Sequence, residues 1–404
     1  MAKAVLMYYC CSDASTGSKL RSLQFARELS ADFDVTIVIE NRGLDSLEIP
    51  PDVACVTLPA FHVSPDSENF DISRPGEIRD RLILRRNLLL ETFARLQPRI
   101  CLVESFPFGQ HRLLGEVLPL VERARNGVYG DSLVVSLTDG ILPDFRDGSE
   151  ERVDNAGRIL SRYFDIVLVR SDPVFARLEE FFQPENTIET PTYHVGFMSQ
   201  GFKASPTPDE PARKSLLVSA GDGRFGGRLF QAALEAHKTL WPVKEIPLKI
   251  ITGERLPDAD WQALLRDAAD APQVSISRNS GNFHREVGEA SWSISQCGYN
   301  TAVDVLATDT PSLFVPCTAD GNSDQQIRAK RLVYWGRGRL VPERLVNGAS
   351  LAAEINDLLG MTVRPTSFNL GGTSTAASLI GEIVYNQRLP PAGGYRSSGR
   401  VDTH

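Results

Sequence analysis

The sequence predicts an α/β protein of two doubly wound domains, each built on a parallel sheet. Three observations predict it. Short β-rich runs alternate with amphipathic helical runs along almost the whole 404-residue chain. The β-rich runs are continuous apolar stretches such as "DIVLVRSD" (165–172) rather than strict alternations, which suits strands buried on both faces. The pattern stops once, at the Pro-, Ser- and charge-rich run "SQGFKASPTPDEPAR" (199–213), and then restarts.

In chain order the first half reads as strand 4–10, helix 20–30, strands 34–40 and 53–59, and a long helix 77–97. Strand 99–105, a helix near 110–125, strand 132–139, a helix around 150–163, strand 165–172, a short helix and strand 193–197 follow. Repeated β–α units of this kind imply right-handed crossovers, so residues 1–198 form one Rossmann-like domain. Residues 199–213 are the linker. The second Rossmann-like domain, 214–373, reads as strand 215–223, a helix from about 226 to 238, strand 247–253, helix 258–270 and strand 274–278. It continues with strand 292–296, helix 301–308, strand 311–316, helix 324–335 and strand 338–341. A C-terminal helix, 374–388, is expected to pack back on the N-terminal domain, and 389–404 reads as a flexible tail. Two such domains joined by a linker enclose a cleft, the usual place for a ligand.

Composition narrows the function. The chain is 42% hydrophobic and 23% charged, as in ordinary globular proteins, with a net charge of -8. That balance excludes nucleic acid as the main partner, since phosphate-backbone binding needs a basic footprint. No apolar run approaches the ~20 residues that cross a bilayer, and no cleavable signal opens the chain, so the expected location is the cytoplasm. The basic amphipathic run 79–96 adds a second expectation, peripheral contact at the inner membrane face. Its simpler reading is a core-packed helix with a solvated basic face. The six cysteines have no CxxC spacing, and free thiols account for them. His62, His111, His194, His237, His284 and His404 are dispersed, and the Asp-x-Asp pairs at 32–34 and 258–260 do not read as metal sites. No metal and no cofactor are expected.

Open α/β sheets bind ligands at the carboxyl ends of their strands, so the loops there carry the candidate chemistry. Four in the second domain stand out. In "SAGDGRFGG" (219–227), Gly221 and Gly223 with the glycines after them let backbone amides approach an anion and feed a helix N-terminus. This is neither a strict GxGxxG nor a P-loop, and an ordinary flexible turn explains it equally well. In "NSGNFHREV" (279–287), Phe283 is placed to stack on a nucleobase while backbone groups near His284 read its edge. A buried Phe and a solvent-facing His form the plainer alternative. In "SISQCGYNTAVDVL" (293–306), Gly298, Asn300 and Thr301 open a helix in the manner of a diphosphate site. Asp304, one turn further, is placed to accept from two vicinal ribose hydroxyls; an ordinary cap at Asn300 or Thr301 is the alternative. In "CTADGNSDQQIRAKRL" (317–332), Gln325 and Gln326 open a helix and offer the donors and acceptors that sugar hydroxyls need, or serve as polar caps.

Together these residues resemble a family. Gly298, Thr301, Asp304, the "LFVP" strand at 313–316 and Gln325-Gln326 are similar to the C-terminal nucleotide-sugar-binding half of MurG-type glycosyltransferases, which have the GT-B fold. The acid is Asp where that enzyme has Glu. A bacterial group of predicted glycosyltransferases sharing "SQxGYNT" and "E-x-FPFG", met here at 104–109, is more similar still, over residues 4–385. The resemblance implies a UDP-sugar donor as co-substrate in the C-terminal domain, an acceptor held mainly by the N-terminal domain, and inverting transfer. The acceptor is a glycan, a lipid-linked molecule or a small molecule.

The first domain departs from the pattern. The family usually has Gly-His in the loop after the first strand, whereas here Thr16, Gly17, Ser18 and Lys19 occupy that acceptor-side loop. A serine is no general base near neutral pH without an activating partner. The candidates for the missing base are Asp13, Glu104 and Asp139, each at a predicted strand end; turn acids, and for Glu104 an arginine partner such as Arg112, are the alternatives. The expected activity is metal-independent hexosyl or N-acetylhexosaminyl transfer to an acceptor hydroxyl. A nucleotide-sugar 2-epimerase and a non-catalytic nucleotide-sugar-binding protein remain the other readings of this architecture.

Overall fold

The computed structural model describes residues 2–10, 16–45, 47–60, 75–109, 113–127, 130–142, 149–186, 188–199, 215–318, 324–364, 366–386 and 389–390. The chain divides into two compact units, 1–198 with 371–404, and 199–370.

The first unit holds a seven-stranded sheet. Its strands are β1 (Ala4–Tyr9), β2 (Phe33–Glu40), β3 (Val53–Leu58), β4 (Ile100–Glu104), β5 (Leu133–Asp139), β6 (Ile166–Arg170) and β7 (Thr192–His194), in the order β3-β2-β1-β4-β5-β6-β7. Every pairing is parallel. Helices α1 (Thr16–Leu29), α2 (Pro75–Leu96), α3 (Leu114–Arg125) and α4 (Ser149–Tyr163) make the crossovers. Two cores result, one per sheet face. One collects Leu6, Tyr8, Phe25 and Ile37, and the other Met7, Tyr9, Leu89 and Phe93. Successive residues of β1 feed opposite cores, which is why the strand has no polar face to read.

The second unit repeats the plan with β8 (Leu216–Ser219), β9 (Leu248–Ile251), β10 (Val274–Ser277), β11 (Trp292–Ser295), β12 (Ser312–Phe314) and β13 (Gly338–Leu340). Their order is β10-β9-β8-β11-β12-β13, again all parallel. Helices α5 (Gly227–Lys244), α6 (Asp258–Ala268), α7 (Phe283–Glu289), α8 (Tyr299–Thr308), α9 (Asp324–Tyr334) and α10 (Gly348–Leu359) surround it. Helix α10 was not anticipated. A capping box between Asn347 and Ser350 starts it, and it buries Leu351, Ala352, Ile355 and Leu358 in the core it shares with α5.

Helix α11 (Gly372–Asn386) belongs to the first unit. Ala376, Leu379 and Ile380 enter its core, and Tyr385 stacks on Phe33 with ring centroids 6.0 Å apart. Gly372 lies so close to the chain that a Cβ there would meet the Gly196 carbonyl oxygen at 2.4 Å.

In both units the strand order reverses between the first and fourth strands, β1/β4 and β8/β11. Those are the switch points at which open α/β sheets take ligands.

Candidate functional site

At the second switch point the chain makes two adjacent strand-to-helix turns. After β8, Gly223 (φ 91°) is fixed by packing: a Cβ there would lie 2.1 Å from the Thr252 carbonyl oxygen. The glycine lets the β8 and β9 loops fit together, and its amide already donates to the Ala220 carbonyl at 2.9 Å, which counts against the expectation that it offers that amide to an anion. Asp222 joins the same contact, its side chain 3.1 Å from Arg255 Nη1. Gly221 (φ 58°) differs, for nothing lies within 4 Å of a Cβ built there. It is the open point of the loop.

The second turn links β11 to α8. Gln296 Nε2 donates to the Phe225 carbonyl at 3.1 Å, tying this turn to the first. Cys297 follows at φ 66°, an uncommon conformation for a residue with a side chain. Gly298 is the N-cap, so Asn300 and Thr301 sit inside the first turn of the helix rather than capping it. The N-cap glycine itself has no side chain to offer the first amides of α8. The first amides of a helix have no carbonyl partner within it, and its N-terminus carries partial positive charge. Asn300 is half-buried and Thr301 buried.

Arg328 of α9 holds this turn, and sequence reasoning missed it. Its Nη1 donates to the Cys297 carbonyl at 2.9 Å and its Nη2 to Asp324 at 2.8 Å, while the guanidinium carbon stands 5.9 Å from the Tyr299 ring centre. Only 3% of the residue is exposed. The Asp324–Arg328 spacing of four was the available signal. At the other end of α8 the fully buried Arg337 donates to the carbonyls of Val305 and Leu306 and to Asp309.

Asp304 and His284 require correction. His284 is buried on α7, with Nδ1 2.9 Å from Asp304 Oδ1. The histidine therefore neither faces solvent nor merely marks a loop; it braces α7 against α8. Asp304 is 2% exposed, and with one oxygen engaged by His284 it does not present both oxygens to a ribose diol. Phe283, beside the pair, is half-buried. Gln325 is likewise spent in part within the protein, its Oε1 accepting from the Cys317 amide at 2.9 Å. Gln326 is exposed.

At the first switch point the chemistry is ionic. Glu104, 3% exposed, accepts from Arg170 Nη1 at 2.6 Å, Tyr8 Oη at 3.0 Å and Ser22 Oγ at 3.1 Å. Both carboxylate oxygens are occupied by internal donors, so Glu104 is a structural anion rather than a base. Its arginine partner is Arg170; Arg112 lies outside the described residues. Burial, reinforced by the Glu104 charge, pushes the Tyr8 hydroxyl well above its ordinary pKa. Arg170 Nε also donates to Asp139 Oδ1 at 2.9 Å. Asp139 differs from Glu104 in exposure, 28% of its side chain against 4%. Asp13 lies outside the described residues. Of the acceptor-side residues, Thr16 opens α1, Gly17 is exposed and Ser18 is half-buried. Lys19 is fully buried and donates to the carbonyls of Glu40, at 3.1 Å, and Arg42, which removes it from any acceptor surface. Burial lowers its pKa.

The long helix α2 also carries a buried charge. Arg85 contacts Glu116 at 2.8 and 3.0 Å and Glu40 at 3.4 Å, while Leu89 and Phe93 enter the core. A groove of about 550 Å³ lies beside α2 at the carboxyl ends of β2 and β3, lined by Asn41, Pro59, Ala60, Asp80, Arg81 and Leu84. Among the described residues, no three His, Cys, Asp or Glu side chains converge as metal ligands, and no helix is long and apolar enough to cross a membrane.

Residues 225–377 match the model of the glycosyltransferase family 28 C-terminal domain. A zeaxanthin glucosyltransferase of Pseudescherichia vulneris is 41% identical over 108 residues, 25% of this chain and 25% of that relative. The matched stretch thus spans about a quarter of the curated relative's length. Among solved structures, a calicheamicin glycosyltransferase superposes with a TM-score of 0.61 at 15% identity, covering 97% of this chain and 100% of that one. MurG of Acinetobacter baumannii gives 0.55 at 16% identity, covering 94% and 99%. A UDP-N-acetylglucosamine 2-epimerase gives 0.61 at 12% identity, covering 98% and 100%. The architecture is the GT-B fold, and the resemblance to MurG-type glycosyltransferases carried by "GYNT…LFVP…QQ" is borne out.

Proposed function

We propose that the protein is a glycosyltransferase that moves a hexose or N-acetylhexosamine from a UDP-sugar to an acceptor hydroxyl. The observation that carries this reading is the family 28 match, whose span contains the β11–α8 turn and the paired-glutamine helix. In this reading the donor diphosphate lies against the α8 N-terminus, where the amides of residues 299–301 and the open Gly221 turn meet its charge without a metal. Gln326, exposed at the start of α9, serves the sugar hydroxyls. The His284–Asp304 pair keeps α7 and α8 in register.

The acceptor side belongs to the first unit, and the groove beside α2 supports it. Asp139 is the base we favour among the described residues, because Arg170 fixes one of its oxygens while the side chain stays partly exposed. The acceptor oxygen bonds to the anomeric carbon, the bond from that carbon to the diphosphate oxygen breaks, UDP leaves, and the hydroxyl proton passes to Asp139. Direct displacement inverts the anomeric centre.

The test is UDP release from a panel of UDP-sugars with and without candidate acceptors. Acceptor-dependent UDP release supports transfer. Interconversion of the sugar nucleotide without acceptor marks an epimerase, and tight UDP-sugar binding with neither reaction marks a binding protein. Asp139→Asn should lower turnover about 10²- to 10⁴-fold, the range for losing a general base, with UDP binding unchanged.

A further inference from the structure

We infer that Arg328 is a positioning residue for the diphosphate, acting through the backbone of the β11–α8 turn; this rests on the donor-site reading above. Three observations meet at one point. Cys297 holds φ at 66° immediately before the N-cap of α8, a conformation that residues other than glycine adopt only when their surroundings impose it. The Arg328 guanidinium, 3% exposed, donates to that residue's carbonyl at 2.9 Å. The same guanidinium lies beside the ring of Tyr299, the first helical residue, and is anchored on its own helix by Asp324 at 2.8 Å. A planar fork reaches two acceptors at fixed angles, whereas a lysine ammonium would not hold both with the same geometry.

The physical consequence is a turn set from behind. The Cys297 carbonyl is pulled toward α9, and the peptide that follows is fixed so that the chain enters α8 with its first amides aligned. A helix start is a weak anion site when it is mobile and a strong one when its donors are pre-organised. Arg328 also brings a positive charge behind the α8 N-terminus, held in an ion pair with Asp324. A diphosphate feels both effects, and a nucleoside without phosphate feels neither.

That difference supplies the test. UDP and uridine binding are measured by calorimetry or competition on the full-length wild type, Arg328→Met, Arg328→Lys, and Arg328→Met combined with Cys297→Gly. Arg328→Met is expected to weaken UDP about tenfold, the scale of one charge-assisted hydrogen bond, while uridine binding stays as in wild type. Arg328→Lys should recover part of the loss through charge. Cys297→Gly should recover another part, because glycine adopts the positive φ without the carbonyl anchor. Equal loss of UDP and uridine binding would mean that Arg328 only holds the fold, and would overturn the inference. Unchanged UDP binding in Arg328→Met would overturn it too, leaving the donor site intact. A folded wild type that binds no uridine nucleotide would instead remove the donor-site reading, and this assignment with it.

Discussion

The two units share one topology but fill their switch points with different chemistry. In the first, the carboxyl ends of β4, β5 and β6 converge on Arg170, which bonds Glu104 and Asp139, with Tyr8 and Ser22 closing the remaining oxygen of Glu104. In the second, the corresponding place is backbone. Two turns are stitched by Gln296, and buried arginines hold both ends of α8 through carbonyl groups. The lesson is that equal strand order does not dictate equal sites. A switch point provides room, and the residues ending the strands decide whether it becomes a charged cluster or a pair of turns built on backbone groups.

The comparison breaks most sharply at Arg170. Arg170→Ala leaves Glu104 buried without its cation, which should cost the first unit about 3–5 kcal/mol. Denaturation combined with hydrogen exchange should show the loss around β4–β6. A variant with unchanged stability and unchanged exchange there would show that the cluster is not what orders this edge.

Asp304→Ala tests the second unit in the same way. It removes the carboxylate oxygen that faces His284 Nδ1 in a buried site, at a cost of about 2 kcal/mol, read as a lower denaturation midpoint even without nucleotide. If only nucleotide binding changed and stability did not, Asp304 would be a ligand contact after all.

Acid sharpens the comparison because each unit buries a histidine whose protonation is disfavoured by that burial. His194 in the first accepts from the Leu178 amide through Nε2 at 3.2 Å, and His237 in the second stacks on Trp241. Burial lowers both pKa values from the ordinary 6.5. Below about pH 6.5 the unfolded chain therefore takes up protons that the folded chain does not. Stability is complete above that pH and is lost as the pH falls toward the lowered folded values. His237→Phe should reduce the slope of stability against pH in the second unit alone, and an unaltered slope would refute the assignment.

The smallest effect is expected at the glycine turn. Gly221→Ala pays only for its φ of 58°, about 1 kcal/mol, because the space beside it is open. Gly223→Ala meets a backbone carbonyl as well and should cost distinctly more in the same melting experiment.

Much of this plan was legible. Continuous apolar runs such as "RICLVES" became β4, and "GYNT" became a helix start at a switch point. Helix α10 was equally legible from Asn347 and the spacing of Leu351, Ile355 and Leu358, yet it carries no chemistry to draw notice. Side-chain roles were not legible. Glu104 invited a catalytic reading because it ends a strand, and only the arrival of Arg170, 66 residues away, spends it. Asp304 invited a ribose contact because it sits one turn into a helix, and only His284 on the neighbouring helix encloses it.

By itself, then, the sequence determined two parallel sheets, their order of elements and the turns that face their carboxyl ends, because hydrophobic periodicity and turn residues act over a few neighbours. Only the tertiary structure decided which charges are spent and which remain for a ligand. Buried ions must find partners across strands and helices, and the partner is chosen by which chain segments the sheet order brings side by side.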